Sequence, residues 1–86
     1  NQITKYFAVG YAKYNIRVNN LILGPFPNNN YTRLYKNTSK KILSNIPLNR
    51  FGNEKDLEGP IVYLSSRFSS YVTGSNLLVD GGWTIK

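Results

Sequence analysis

Chemistry in this chain has to be done without histidine, cysteine or methionine, none of which occurs among its 86 residues. That composition leaves metal clusters with imidazole or thiolate ligands and nucleophilic triads unsupported. The four acids are Glu54, Asp56, Glu58 and Asp80. Three of them crowd a helix start, where the macrodipole favours negative charge, and they do not form the flanking pair that glycoside hydrolysis needs. No pyrophosphate turn of the G-x-G-x-x-G type is present either, since Gly24, Gly52 and Gly59 stand alone. The most informative stretch is Gly24-Pro25-Phe26-Pro27 followed by Asn28, Asn29 and Asn30. Two prolines and three asparagines defeat helix and central strand alike, so this is a loop. It leaves an apolar strand at the end where open α/β sheets hold their ligands.

The elements that must position this loop are organised around Ser69 to Trp83. Leu77, Leu78 and Val79 form a continuous apolar run, bounded by Thr73-Gly74 before and Asp80-Gly81-Gly82 after. Such a run suits a strand over 76–80 covered on both faces, as in a parallel sheet. Upstream, Ile3, Tyr6, Phe7, Gly10, Tyr11 and Tyr14 recur at helical spacing, which predicts an amphipathic helix over 2–14 whose aromatic face meets the core or another subunit. Asn15 is its expected left-handed stop. Ile16, Val18, Leu21, Ile22 and Leu23 predict a strand over 16–23, in which Asn19 or Asn20 must bond to a neighbouring turn. Residues 31–46 read as helical, with a break invited by Asn37, Thr38 and Ser39. Leu57, Ile61, Leu64 and Phe68 then mark a crossover helix near 54–66, capped by Asn53. Pro60 implies either a second start after Gly59 or a kink.

The formal charge is +7, and no acid occurs before Glu54. Lys and Arg in that excess raise a second reading, a basic module for nucleic acid or an acidic partner, whose binding would fall steeply with salt. The irregular spacing and the absence of a nucleic-acid motif favour solvated faces instead. No apolar run approaches a membrane span and nothing reads as a signal peptide, so a cytoplasmic location is expected. A chain opening on Asn1-Gln2 without Met is expected to be an internal piece of something longer.

YVTGSNLLVDGGWT, residues 71–84, resembles the C-terminal signature of the short-chain dehydrogenase/reductase family, where it forms the last strand of a doubly wound nucleotide-binding sheet. RVNNLILGPF resembles the family's strand running into a Pro-Gly turn beside the nicotinamide, and Pro47, Leu48, Arg50 and Gly52 match its Pro-Leu-x-Arg-x-Gly turn. Leu23 stands where Pro is usual, and Asn28 where Thr is usual.

The resemblance implies an α/β fold, the C-terminal part of a Rossmann-like doubly wound parallel sheet in the order helix, strand, lid helices, helix, strand. Residues 1–86 would be a C-terminal fragment of a single NAD(P)-binding domain, with 24–46 as its substrate-binding lid. It further implies NAD or NADP as cofactor, contacted by Gly24, Pro25, Phe26 and Asn28, and a small carbonyl or secondary-alcohol substrate met by Phe26, Tyr31, Leu34 and Tyr35. A homodimer or homotetramer is expected, with no nucleic acid and no membrane as partner. The family's proton-transfer Tyr, with a Lys four residues later, has no match, since no Lys here follows a Tyr at that spacing. No catalytic residue is therefore assigned, and the segment alone is expected to be inactive.

Overall fold

Helical spacing in the first residues gives helix α1, Gln2–Tyr11, which tightens into a 3-10 turn at Ala12–Tyr14 in the computed structural model. The structure describes residues 1–26 and 36–85. Asn15 ends the turn in the left-handed region, at φ 60° and ψ 35°, and donates its N–H to the carbonyl of Ala12 at 2.9 Å. After it come β1 (Asn20–Leu23), α2 (Lys36–Ser44), α3 (Lys55–Ser65) and β2 (Asn76–Val79), with 3-10 turns at Arg67–Ser69 and Trp83–Ile85.

The two strands are parallel neighbours, with Asn20 opposite Asn76 and Leu23 opposite Val79. A parallel pair needs a crossover, and the chain supplies it through α2 and α3. The expected strand over 16–23 is shorter because its first half is spent on a turn. Val18 donates its N–H to Thr73 Oγ1 at 3.1 Å and accepts from Gly74 at 2.8 Å. Asn19 donates Nδ2 to the carbonyl of Val72 and accepts at Oδ1 from both N–H and Oγ of Ser75. The asparagine thus meets the hydrogen-bonding demand expected of it. Arg17 donates to the carbonyls of Leu64 and Ser66, to that of Val72 and to Ser69 Oγ. It satisfies acceptors that the C-terminus of α3 leaves open, around a Ser69 with no exposed surface.

Two local expectations need correction or completion. Asn37, Thr38 and Ser39 do not break the helix, since α2 runs through them; such residues lower helix propensity by only about 0.5–0.7 kcal/mol each. Pro60 lies inside α3 rather than opening a second helix, and Asn53 stands two residues before the first helical residue, Lys55. There Asn53 Oδ1 accepts from the N–H of Lys55, while Asp56 Oδ2 accepts from the N–H of Asn53, each at 2.9 Å. This reciprocal cap anchors the first turn upstream of the proline.

Among the described residues the buried apolar side chains are Ala8 and Ile46. The apolar strands, whose composition suits cover on both faces, receive it only in part, and Leu23 and Leu78 stay nearly half exposed. The radius of gyration is 15.7 Å, against about 12 Å for a compact domain of this length. Open apolar faces and an extended outline describe a piece of sheet and its helices, not a closed core.

Candidate functional site

Both strands end at the same edge, and the turns that leave them meet there. Gly24 continues the ladder by donating its N–H to the carbonyl of Val79 at 3.0 Å. It lies so close to Asp80 that an added Cβ would sit 2.5 Å from the Asp80 Cβ, so only glycine fits. Pro25 accepts at its carbonyl from the N–H of Gly52, 3.1 Å away, and the ring of Phe26 rests on Gly52, where a Cβ would come within 2.4 Å of it. On the other side, Leu48 donates its N–H to the carbonyl of Gly81 at 3.1 Å. Ile46 and Pro47 press on Gly81 and Gly82, both in left-handed conformations (φ 63° and 91°). The contacts close a ring: strand exit, Asp-Gly-Gly turn, Pro-Leu turn, Gly52 and back to the strand exit.

That ring borders a half-open cavity of about 480 Å³. Pro25, Phe26, Pro47, Leu48 and Ile85 give it a largely apolar wall, and Arg50 and Asp56 lie at its polar side. These two form a bidentate ion pair at 2.8 and 2.9 Å. The Arg50 guanidinium, with the N–H of Asn53, lowers the Asp56 pKa to about 2. The pair is partly open to water, Arg50 at 53% and Asp56 at 26% of its side chain, so it orders the turn more than it stabilises the fold. Asp80 is held below the ordinary carboxylate value by the hydroxyl of Thr84 and the N–H groups of Gly82 and Thr84. Its two oxygens thereby cap the turn after β2.

Of the residues singled out in sequence, the structure brings Gly24, Pro25 and Phe26 to this edge. Asn28, Tyr31, Leu34 and Tyr35 lie outside the described residues. Asp80 and Thr84 escape a reading that takes Asp-Gly-Gly only as the end of a strand. A carboxylate four residues before a threonine, across two glycines, is the signal of such a cap. Among the described residues no group of His, Cys, Asp or Glu could hold a metal ion, and no helix is long and apolar enough to cross a membrane.

The family model described as enoyl-(acyl carrier protein) reductase matches residues 1–84. The 2-dehydro-3-deoxy-D-gluconate 5-dehydrogenase of Dickeya dadantii (strain 3937) is 45% identical over 83 residues, covering 94% of this chain and 33% of that protein. Among solved structures, a short-chain type dehydrogenase/reductase from Mycobacterium marinum superposes with a TM-score of 0.87 at 35% identity, over 99% of this chain and 33% of the other. The gluconate 5-dehydrogenase of Burkholderia cenocepacia J2315, in complex with NADP and tartrate, gives 0.89 at 31% identity, over 99% and 34%. The chain thus spans about a third of the length of the relatives it matches.

Proposed function

The chain belongs to the short-chain dehydrogenase/reductase family, and from that premise we propose that it is the C-terminal segment of a NAD(P)-dependent oxidoreductase acting on a small carbonyl compound or secondary alcohol. The observation that carries this reading is the parallel pairing of β1 and β2, with Gly24, Pro25 and Phe26 leaving the sheet at its ligand-binding edge.

The residues at that edge fit a nicotinamide cofactor, which supplies or accepts the hydride when bound. Gly24 has no side chain to obstruct a close approach, and its neighbourhood with Asp80 could not accept one. The Pro25 carbonyl is engaged by Gly52, and proline has no N–H, so the first main-chain donor after Gly24 is that of Phe26. We assign Gly24, Pro25 and Phe26, with Asn28 beyond them, to holding the nicotinamide end. Phe26, Tyr31, Leu34 and Tyr35 are assigned to the substrate. Pro25, Phe26 and Pro47 give that side an apolar wall.

This segment positions and does not transfer protons, because its sequence carries no Tyr followed by Lys at the family's spacing. Turnover is measured by nicotinamide absorbance, on the 86 residues and on the longest polypeptide that contains them, with a panel of sugar acids and other secondary alcohols. Turnover only in the longer polypeptide is the expected result. A longer polypeptide that binds neither NADH nor NADPH overturns the reading.

The faces left open by the fold support an oligomer. Ile3, Tyr6 and Val9 of α1 are each at least 72% exposed, beside a Phe7–Tyr11 stack at 5.8 Å between ring centroids. An apolar face of this kind marks an interface. We assign α1 to subunit pairing in a homodimer or homotetramer.

A further inference from the structure

The two strands carry little that specifies how far one should slide past the other. β1 reads Asn-Leu-Ile-Leu and β2 reads Asn-Leu-Leu-Val. A slip of two residues keeps every side chain on its own face and still sets aliphatic residues opposite one another, Leu21 against Val79 in one direction and Leu23 against Leu77 in the other. The main-chain ladder repeats at the same step. Gly24 admits the close approach of Asp80 but has no side chain with which to select it. Register therefore has to come from groups outside the apolar runs.

Such groups meet at the strand starts. Asn19 donates Nδ2 to the Val72 carbonyl at 2.9 Å, and its Oδ1 accepts from the Ser75 N–H at 3.1 Å and from the Ser75 hydroxyl at 2.8 Å. Beside it, the Val18 N–H reaches Thr73 Oγ1 at 3.1 Å. Ser75 immediately precedes β2, so these bonds are fixed to the first rung of the ladder. A slip of two residues moves their partners by about 6.6 Å, which breaks all of them together. Arg17 also reaches the Val72 carbonyl, at 3.3 Å, but on a long side chain that can follow a shift.

We propose that Asn19, Thr73 and Ser75 form the register lock of this sheet. They decide which residue of β1 stands opposite which residue of β2, and so where Gly24 to Phe26 leave the sheet relative to Asp80. The apolar strands supply adhesion without a choice of register, and the partly buried polar contact supplies the choice, as an asparagine does in the core of a coiled coil. The lock lies at the opposite end of the strands from Gly24 and touches none of the residues assigned to the nicotinamide. Its existence does not depend on the oxidoreductase reading; that a slipped molecule is an inactive one does.

The test uses the whole polypeptide that contains these residues and exploits a segment without cysteine. Leu21→Cys with Leu77→Cys reports the observed register, because the two are ladder partners and Cα atoms about 4.8 Å apart can be bridged. Leu21→Cys with Val79→Cys, and Leu23→Cys with Leu77→Cys, report slips in the two directions, since each pair stands about 8 Å apart unless the strands shift. Disulfides formed in a glutathione buffer are located by peptide mass spectrometry. With the lock intact, only the first pair should close. In the variant carrying Asn19→Leu, Thr73→Val and Ser75→Val, a slipped pair should close in a yield at least about tenfold higher, the scale of one lost hydrogen bond, and Asn19→Leu alone should fall between. A folded triple variant that still closes only the first pair overturns the lock. If the triple variant does not fold, Asn19→Leu alone decides: a slipped-pair yield no higher than with the lock intact overturns the proposal. On the oxidoreductase reading, kcat per total protein falls in proportion to the slipped fraction while KM is unchanged. A protein with the lock intact and no nicotinamide-dependent turnover would refute that reading, and the disulfide result would still decide the lock.

Discussion

The edge where both strands end and helix α1 are built from the same kinds of residue and end in opposite conditions. At the edge, Gly24, Gly52, Gly81 and Gly82 are each met within 3 Å of where a Cβ would stand. On α1, Gly10 has nothing within 4 Å of that point, and the aromatic residues around it face solvent. The edge is closed by contacts within this chain. The helix presents an apolar surface that nothing in this chain covers among the described residues. Glycine thus records close approach in one region and only a missing side chain in the other, and the two are separable by experiment.

The largest effect is expected at the edge. Gly24→Ala drives a methyl into the Asp80 backbone and should destabilise the whole polypeptide by about 2–3 kcal/mol, the range for overpacking against atoms that cannot move aside. Thermal melts read this directly, and a change below about 0.5 kcal/mol would show that the contact is slack. The comparison reverses sign at Gly10→Ala, which should raise α1 helicity in the dispersed chain by about 0.5–1 kcal/mol, as seen in circular dichroism. The same substitution lowering the stability of the assembled protein would place a partner's backbone against Gly10.

A smaller effect on folding, and a large one on assembly, is expected from Ile3→Lys with Tyr6→Lys. Exposed positions of this kind change monomer stability within about 0.5 kcal/mol, while sedimentation should show the oligomer dissociating. An unaltered oligomer would exclude α1 as the interface. The smallest effect concerns acid. The Asp56 pKa is lowered from 3.8 to about 2 in the fold, so its contribution to stability is complete above pH 3.8 and disappears as pH falls through about 2. Asp80 is shifted in the same direction. In melts across this range, Asp56→Asn should remove part of the acid sensitivity and leave the part due to Asp80.

Legibility tracks the range of the forces involved. The spacing of Ile3, Tyr6, Phe7 and Tyr11, the Asn15 stop and the Asn53 cap are local, and all appear where the residues place them. The start of β1 is legible only in part: Asn19 bonds to a turn as expected, but that this turn is Thr73 to Ser75, more than fifty residues away, and that it also draws in Val18, has no local signal. Part of the proposed site, the Gly-Pro-Phe exit at the strand-end edge, is legible as a loop leaving the strand. Asp80 and Thr84 are not, because a cap is recognised by what its carboxylate accepts, and that depends on how the adjoining turn folds.

Sequence alone determined that helices lie near 2–14 and 54–66 and strands near 16–23 and 76–80, and that the two apolar strands require a crossover between them, because hydrophobic period and turn chemistry act over a few residues. Tertiary structure decided the register that sets Asn20 opposite Asn76, the contact of Gly24 with Asp80 and the closure of the ring at Gly52. These depend on where distant backbones come to rest against one another, a property of packing that no local pattern encodes.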